Sequence, residues 1–261
     1  MTKGQAKILT LGDIVGAGGT EAIEKKLWEI RNENRIDMVI ANGENAATGN
    51  GINPETAQRL FRAGVDVITG GNHIFRKSTI HSFLEKEKNI IRPANYPSEC
   101  PGFGYCIFDM CSYRVLVINL LGTVYMESLE NPFSCADKIL KNEEGNFDIA
   151  LLDFHAEATS EKLALARYLD GRISCFFGTH THVQTSDEKV LAGGTGYITD
   201  LGMCGVEDSV LGVKSDIIIR RFLTKMPQKH EEAEGEARIC GCIFTVCVEN
   251  GKCVEVERIQ I

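Results

Sequence analysis

Short apolar runs alternate along the first part of this chain with longer segments whose apolar positions recur every three or four residues. The runs at 7–11, 37–41 and 65–69 read as strands. Between the first two, residues 20–34 place Ala22, Ile23, Leu27 and Ile30 at helical spacing. Asn53 followed by Pro54 predicts an N-cap and a first helical position, opening a second helix that ends near Gly64. Residues 78–87 predict a third helix capped by Ser78. Gly12-Asp13-Ile14-Val15-Gly16 reads as a loop after the first strand, and Gly16-Ala17-Gly18-Gly19 as a turn. Strands alternating with helices predict an α/β fold with a parallel core.

The character shifts after Gly104. Residues 105–110 and 114–120 predict a hairpin around Cys111-Ser112-Tyr113. Helical spacing returns at 135–142 and 160–169, and strands are predicted at 149–153, 173–177 and 195–199. A second hairpin, 239–248 and 252–259, turns at Glu249-Asn250-Gly251. The acidic stretch 228–236 reads as flexible. No repeat or boundary interrupts the pattern. It predicts one domain over residues 1–261, built from two mixed sheets packed together and flanked by helices.

With 261 residues, 43% of them hydrophobic, the chain can bury a core without staples. Its formal charge of −8 argues against a nucleic-acid surface built on electrostatics. A small anionic substrate stays open, because bound cations reverse the local sign. Ten cysteines are scattered, mostly within strand-like runs, with no Cys-x-x-Cys pair. Cys240-Gly241-Cys242 is the nearest approach and lacks companion ligands. Residues 1–7 are polar and lead straight into the first strand, so no signal peptide is expected. No apolar run approaches the ~20 residues of a membrane span. These features predict a cytoplasmic protein with reduced thiols.

Candidate chemistry gathers where the apolar runs end. Four of the six histidines fall in Gly71-Asn72-His73, Asp153-Phe154-His155 and Gly178-Thr179-His180-Thr181-His182. Asp13 and the run Asn42-Gly43-Glu44-Asn45 close two further strands. In open α/β sheets ligands collect at the carboxyl ends of strands, so one cleft could gather all five segments. Each residue alone would pass for a turn or capping residue. Together they form a carboxylate, carboxamide and imidazole set without thiolate, suited to Zn²⁺, Mn²⁺ or Fe. Glu44 could bridge two cations. His180 and His182 would point the same way on an extended segment, whereas a loop could aim one at each of two metals. Other candidates read as structural. His81 and His230 are expected at the surface. The glycines at 16–19 lack a phosphate-loop ending, no Gly-x-Ser-x-Gly elbow occurs, and Cys204 reads as a buried thiol. Arg76 and Lys77 are open as phosphate contacts or as a solvated pair.

The order of these motifs resembles the calcineurin-like metallophosphoesterases. Arg92-Pro93-Ala94-Asn95-Tyr96-Pro97, Asp153-Phe154-His155-Ala156-Glu157-Ala158-Thr159-Ser160 and the run from Gly178 to Thr185 narrow the resemblance. They are similar to bacterial dinuclear-metal phosphodiesterases that act on 2′,3′-cyclic nucleotides. The resemblance covers roughly residues 7–223 and implies a four-layer α/β/β/α sandwich. It implies that Asp13, Glu44, Asn45 and His182 hold one metal. Glu44 then bridges to a second, held also by Asn72, His155 and His180. His73 becomes the general acid toward the leaving oxygen after attack by a hydroxide shared between the metals. The implied cofactors are two divalent or mixed-valence ions, Fe or Mn first and Zn second.

Departures from the wider superfamily are visible. Val15 stands where an Asp-x-His motif would carry His, and Glu44 replaces a bridging Asp. Ile74-Phe75-Arg76-Lys77 follows His73 where relatives usually carry Trp-Asp, and Cys204 stands where Thr is usual. The implied partner is a small phosphodiester or nucleotide, with RNA ends as a larger candidate, and no membrane. Two other readings use the same residues: a regulatory nucleotide- or RNA-binding module with weak hydrolysis, and a phosphomonoesterase or protein phosphatase.

Overall fold

The computed structural model describes residues 4–261. Of the polar stretch 1–7 on which the missing signal peptide was read, the first three residues lie outside the described ones. In chain order the elements are β1 (Gln5–Val15), α1 (Gly16–Asn34), β2 (Met38–Asn45), α2 (Pro54–Ala63), β3 (Val67–Thr69), α3 (His81–Leu84) and β4 (Ile90–Ile91). There follow β5 (Tyr105–Asp109), β6 (Arg114–Leu121), α4 (Pro132–Asn142), β7 (Ile149–His155), α5 (Thr159–Tyr168) and β8 (Cys175–Thr179). The chain closes with β9 (Lys189–Val190), β10 (Gly196–Ile198), β11 (Met203–Val206), α6 (Ser215–Thr224), β12 (Ala237–Arg238), β13 (Cys240–Cys247) and β14 (Cys253–Gln260).

Two sheets result. The first has eight strands in the order β12-β11-β1-β2-β3-β4, with β13 joined to β1 and β14 to β13. One edge of β1 serves two partners in succession. β13 pairs antiparallel from Gln5 to Leu11, and β11 pairs parallel at Asp13 and Ile14. The second sheet runs β5-β6-β7-β8-β10-β9, parallel from β6 to β10 with antiparallel edges.

The core divides into three apolar layers, which defines the α/β/β/α sandwich. Leu9, Leu11, Val39 and Ala41 face Ile23, Leu27 and Leu60 of α1 and α2. Ile8, Met38, Ile40, Val117, Phe177 and Phe244 meet between the sheets. Leu116, Ile118, Leu152 and Phe154 face α4 and α5. Alternate residues of one strand enter different layers, so central strands buried on both faces read as continuous apolar runs.

Several local expectations are borne out. Asn53 caps α2 by accepting from the Thr56 N–H at 2.8 Å, and Gly64 closes the helix at φ 108°. Others are corrected. Residues 12–15 are not a loop, because β1 continues to Val15, paired on both sides with register shifts around Asp13. The glycines at 16–19 open α1 instead of forming a separate turn. A Cβ at Gly19 would lie 2.1 Å from the Cys204 carbonyl oxygen, so glycine permits helix and β11 to touch. The helix predicted over 78–87 is a 3₁₀ turn, Ser78–Ile80, followed by the four-residue α3. Ser78 does not cap it. Only Ile80 and Leu84 of that segment are buried, enough for a single turn. The acidic stretch 228–236 is tied down at its middle. Glu232 accepts from the Ala17 and Gly49 N–H groups at 3.2 and 3.1 Å, and the Ala233 N–H donates to the Gly212 carbonyl at 2.9 Å. The short strands β4, β9, β11 and β12 and helix α6 have no counterpart in the sequence reading. Among the described residues no helix is long and apolar enough to cross a membrane.

Candidate metal centre

The apolar pattern underestimates the strands that carry the site. Asp13, Glu44, Asn45 and His155 lie within β1, β2 and β7, because backbone pairing continues after the side chains turn polar. His180 directly follows β8, and Asn72 and His73 stand just past β3. These strand ends gather at one cleft of 770 Å³ lined by Glu44, Asn45, His73, His180 and His182, with Lys214 also in its lining.

Glu44 is the hub. It is 1% exposed, and its Oε2 accepts from the His73 backbone N–H at 2.8 Å. Its Oε1 lies 3.0 Å from Asn45 Nδ2, 3.2 Å from His73 Nδ1 and 3.3 Å from His155 Nε2. Ligand atoms of Glu44, His155 and His180 fall within 4.8 Å of one another. Asn72 Oδ1 is 3.1 Å from His155 Nε2, which is also 3.1 Å from His180 Nδ1. At the other end His182 Nε2 lies 3.7 Å from Asp13 Oδ1, and the His180 N–H donates to Asp13 Oδ2 at 3.0 Å. The loop alternative for the two histidines is the one observed. His180 has φ 102° and His182 φ 64°, so one ring turns toward His155 and the other toward Asp13. Two non-glycine residues in left-handed backbone within three positions store strain at the site.

The electrostatics follow from crowding acids and imidazoles out of water. Burial pushes the Asp13 carboxyl up, partly offset by His182 and His155. Burial acts the same way on Glu44, but the His155 and His73 rings outweigh it and hold Glu44 well below the usual carboxylate range. His155 loses from burial and gains more from Glu44, reaching about 9. His180 is pushed down to about 3 by burial and by the charge on His155, which leaves its lone pair free at neutral pH. Asp13 Oδ1 and His182 Nδ1 are buried without a hydrogen-bond partner. An orphaned carboxylate oxygen, the buried Glu44 carboxylate and converging imidazoles fit divalent cations.

His73 is one-fifth exposed and sits on the open side. The Asn45 amide is oriented by Glu44, which can only accept, so Asn45 Nδ2 faces the carboxylate and Oδ1 faces His73 Nδ1 at 2.8 Å. His73 Nδ1 therefore carries hydrogen, and Nε2 is the nitrogen open to the cleft. Cys204 is buried, and its thiol donates to the Cys240 carbonyl at 3.3 Å. Burial raises its pKa, so it is a structural thiol. Lys77 Nζ donates to the Thr48 carbonyl at 2.7 Å, and neither Arg76 nor Lys77 lines the cleft. His230 is exposed, while His81 is partly buried against Phe75.

The polar layer beneath the candidate ligands has no counterpart in the sequence reading. Asp153 accepts from Thr69 Oγ1 at 2.5 Å, Thr179 Oγ1 at 2.7 Å and Asn42 Nδ2 at 3.1 Å, all fully buried. Burial lifts its pKa to about 6. Lys162, inside α5, donates to Asp200 Oδ2 at 2.7 Å and to the Thr179 carbonyl at 2.9 Å. Asp200 in turn accepts from the Thr181 and Gly202 N–H groups, so this buried pair pins the 178–182 loop. Lys162→Ala leaves that carboxylate uncompensated and is expected to destabilise the fold by about 3–5 kcal/mol, read by denaturant unfolding.

Gly71 is a further requirement. A Cβ there would lie 2.2 Å from Glu44 Oε2 and 2.5 Å from His155 Nε2. Gly71→Ala is expected to separate these two groups and lower bound metal while circular dichroism stays unchanged. Full metal content in that variant would refute the close-packing argument.

Two mixed sheets under flanking helices, with acids, amides and imidazoles converging at strand ends, define the class: a calcineurin-like metallophosphoesterase. Comparison with known proteins narrows this. The family model described as YmdB-like protein matches residues 9–259. The chain belongs to the YmdB-like family, within which divalent metal ions are implied. It is 40% identical over 255 residues to a Bacillus subtilis protein named 2′,3′-cyclic-nucleotide 2′-phosphodiesterase, covering 98% of this chain and 97% of the relative. A crystal structure of a hypothetical protein from Thermus thermophilus superposes with a TM-score of 0.92 at 39% identity, over 98% of each chain. A Mycoplasma pneumoniae structure described as a novel phosphatase gives 0.93 at 32% identity, covering 98% of this chain and 93% of that one.

Proposed function

We propose that this chain is a metal-dependent phosphodiesterase acting on small phosphodiesters, 2′,3′-cyclic nucleotides first. The observation that carries the proposal is the convergence of Glu44, His155 and His180 beside the orphaned Asp13 Oδ1, with His73 on the open face of the same cleft. The named activity of the Bacillus subtilis relative supports the substrate class.

Asp13, Glu44, Asn45 and His182 would hold one cation. Glu44, Asn72, His155 and His180 would hold the second. Asn45 can serve two roles because an amide oxygen has two lone pairs, one for the His73 N–H and one for a cation. Bound there, two cations would supply a lowered pKa for water and neutralisation of charge on a phosphoryl group. Fe or Mn suits this set best and Zn next. His73 donates a proton from Nε2 to the departing ribose oxygen, while Asn45 Oδ1 and Glu44 Oε1 accept from Nδ1–H and orient the ring. The Asp200–Lys162 pair keeps His180 and His182 in place. All ten cysteines are free thiols, which suits the reducing cytoplasm.

The test is hydrolysis of 2′,3′-cyclic AMP after chelation, with and without added Mn²⁺, against 3′,5′-cyclic AMP and a phosphomonoester. Chelator-sensitive turnover favouring the 2′,3′-cyclic diester is expected. Metal uptake without turnover of any substrate would replace the proposal with a binding module. Preference for the monoester would keep the site and overturn the substrate.

A further inference from the structure

We infer that two residues outside the ligand set fix opposite ring tautomers on His155 and His180: Asp153, acting through Thr179, and Glu157, acting directly. The inference rests on the metal reading above and adds which nitrogen of each ring is the ligand.

The His155 side follows from counting hydrogens. A carboxylate only accepts, and a threonine hydroxyl has one hydrogen to give. Thr179 Oγ1 donates that hydrogen to Asp153 Oδ1 at 2.7 Å. Facing His155 Nδ1 at 2.9 Å, the same oxygen can then only accept. His155 Nδ1 therefore carries hydrogen, and Nε2, which faces Glu44 Oε1 and Asn72 Oδ1, is the nitrogen left for a cation that would take the place of its proton. Asn42 Nδ2 also approaches His155 Nδ1, at 3.4 Å, but its two hydrogens go to the Gly70 carbonyl at 2.9 Å and Asp153 Oδ2 at 3.1 Å. It supplies no competing donor.

His180 is set the other way round. Its Nε2 lies 3.1 Å from Glu157 Oε2, so Nε2 carries hydrogen and Nδ1 presents the lone pair. The two nitrogens left for a cation, His155 Nε2 and His180 Nδ1, stand 3.1 Å apart. Each ligand ring is thus backed by an acceptor that sets its orientation, one through a hydroxyl and one by contact. The two supports differ in setting: Asp153 is fully buried, whereas Glu157 is half exposed and screened by water. Asp153 and Thr179 are therefore the stronger positioning residues.

The test uses the full chain labelled with ¹⁵N-histidine and loaded with Zn²⁺. Long-range ¹H–¹⁵N correlation is expected to show one ring protonated at Nδ1 and bound through Nε2, and another with the reverse arrangement. Thr179→Val and Glu157→Gln assign the two rings by perturbing one each. Two rings of the same tautomer would overturn the inference. Zn²⁺ titration is the second readout. In Asp153→Asn the new amide donates to Thr179, whose hydrogen turns toward His155 Nδ1 and moves the ring hydrogen to Nε2. The second equivalent of Zn²⁺ is then expected to bind roughly 10- to 100-fold more weakly, with the first retained. Thr179→Val is expected to show a similar loss, and Thr179→Ser to bind like wild type. Wild-type affinity for both equivalents in Asp153→Asn, or in Thr179→Val should Asp153→Asn not fold, sinks the inference. Failure of the wild-type protein to bind Zn²⁺ would instead sink the metal reading.

Discussion

Glu44→Ala is expected to empty the centre of metal and lower turnover of a 2′,3′-cyclic nucleotide by roughly a thousandfold. The magnitude comes from the several kcal/mol of transition-state charge stabilisation that metal ions contribute, taken as about 4 kcal/mol. Glu44 is the residue through which the two halves of the site communicate. It contacts the His73 backbone and ring, the Asn45 amide and the His155 ring. Asp13 and Asp153 cannot replace it, because Asp13 lies at the far end against His182 and Asp153 is committed to three hydrogen bonds beneath. Glu44→Gln separates charge from shape, since the amide fills the same volume and is a far weaker cation ligand. Elemental analysis of both variants, paired with turnover, is the measurement. Two equivalents of metal with near-normal turnover in either variant would show that Glu44 is not the bridge.

The candidate ligands stood out in the sequence for a physical reason. A polar residue ending one apolar strand passes for a turn or cap, but several such ends at the carboxyl edges of sheets in one chain point to one cleft. Their exact placement was less visible. Strand membership follows backbone pairing, so β1 and β2 run on through Asp13 and Asn45 even though their side chains stop looking like a strand. Hydrophobic pattern alone therefore ends each strand too early and turns Gly12-Asp13-Ile14-Val15 into a loop.

The supporting layer was hidden for a different reason: its partners are far apart in the chain and locally ordinary. Lys162 sits mid-helix where a lysine normally reads as surface, and its partner Asp200 is 38 residues away. Thr69 and Thr179 look like unremarkable strand residues until both are seen to serve Asp153. The same holds for Glu232, one acid in an acidic run, whose two backbone contacts make a supposedly flexible segment into a wall of the cleft. Helix α6 buries none of its residues fully and leaves Ile219, Phe222 and Leu223 exposed, so its apolar positions mark no core face.

His73→Ala is expected to keep both metals and lose about 10²- to 10⁴-fold in turnover, the usual worth of a positioned general acid. The retention of metal follows from which part of His73 the site uses. Its backbone N–H holds Glu44 Oε2 at 2.8 Å, and a backbone donor survives any side-chain change. The ring touches Glu44 and Asn45 only through Nδ1, leaving the cleft-facing Nε2 to protonate the departing oxygen. A leaving group that needs no proton supplies the control. An aryl phosphodiester, whose phenolate departs unaided, is expected to lose much less activity in His73→Ala than 2′,3′-cyclic AMP does. Equal losses on the two substrates would remove the acid role from His73, and loss of metal would move it into the ligand set. The difference between the substrates is therefore the quantity to measure, because it isolates proton donation from every other consequence of removing the ring.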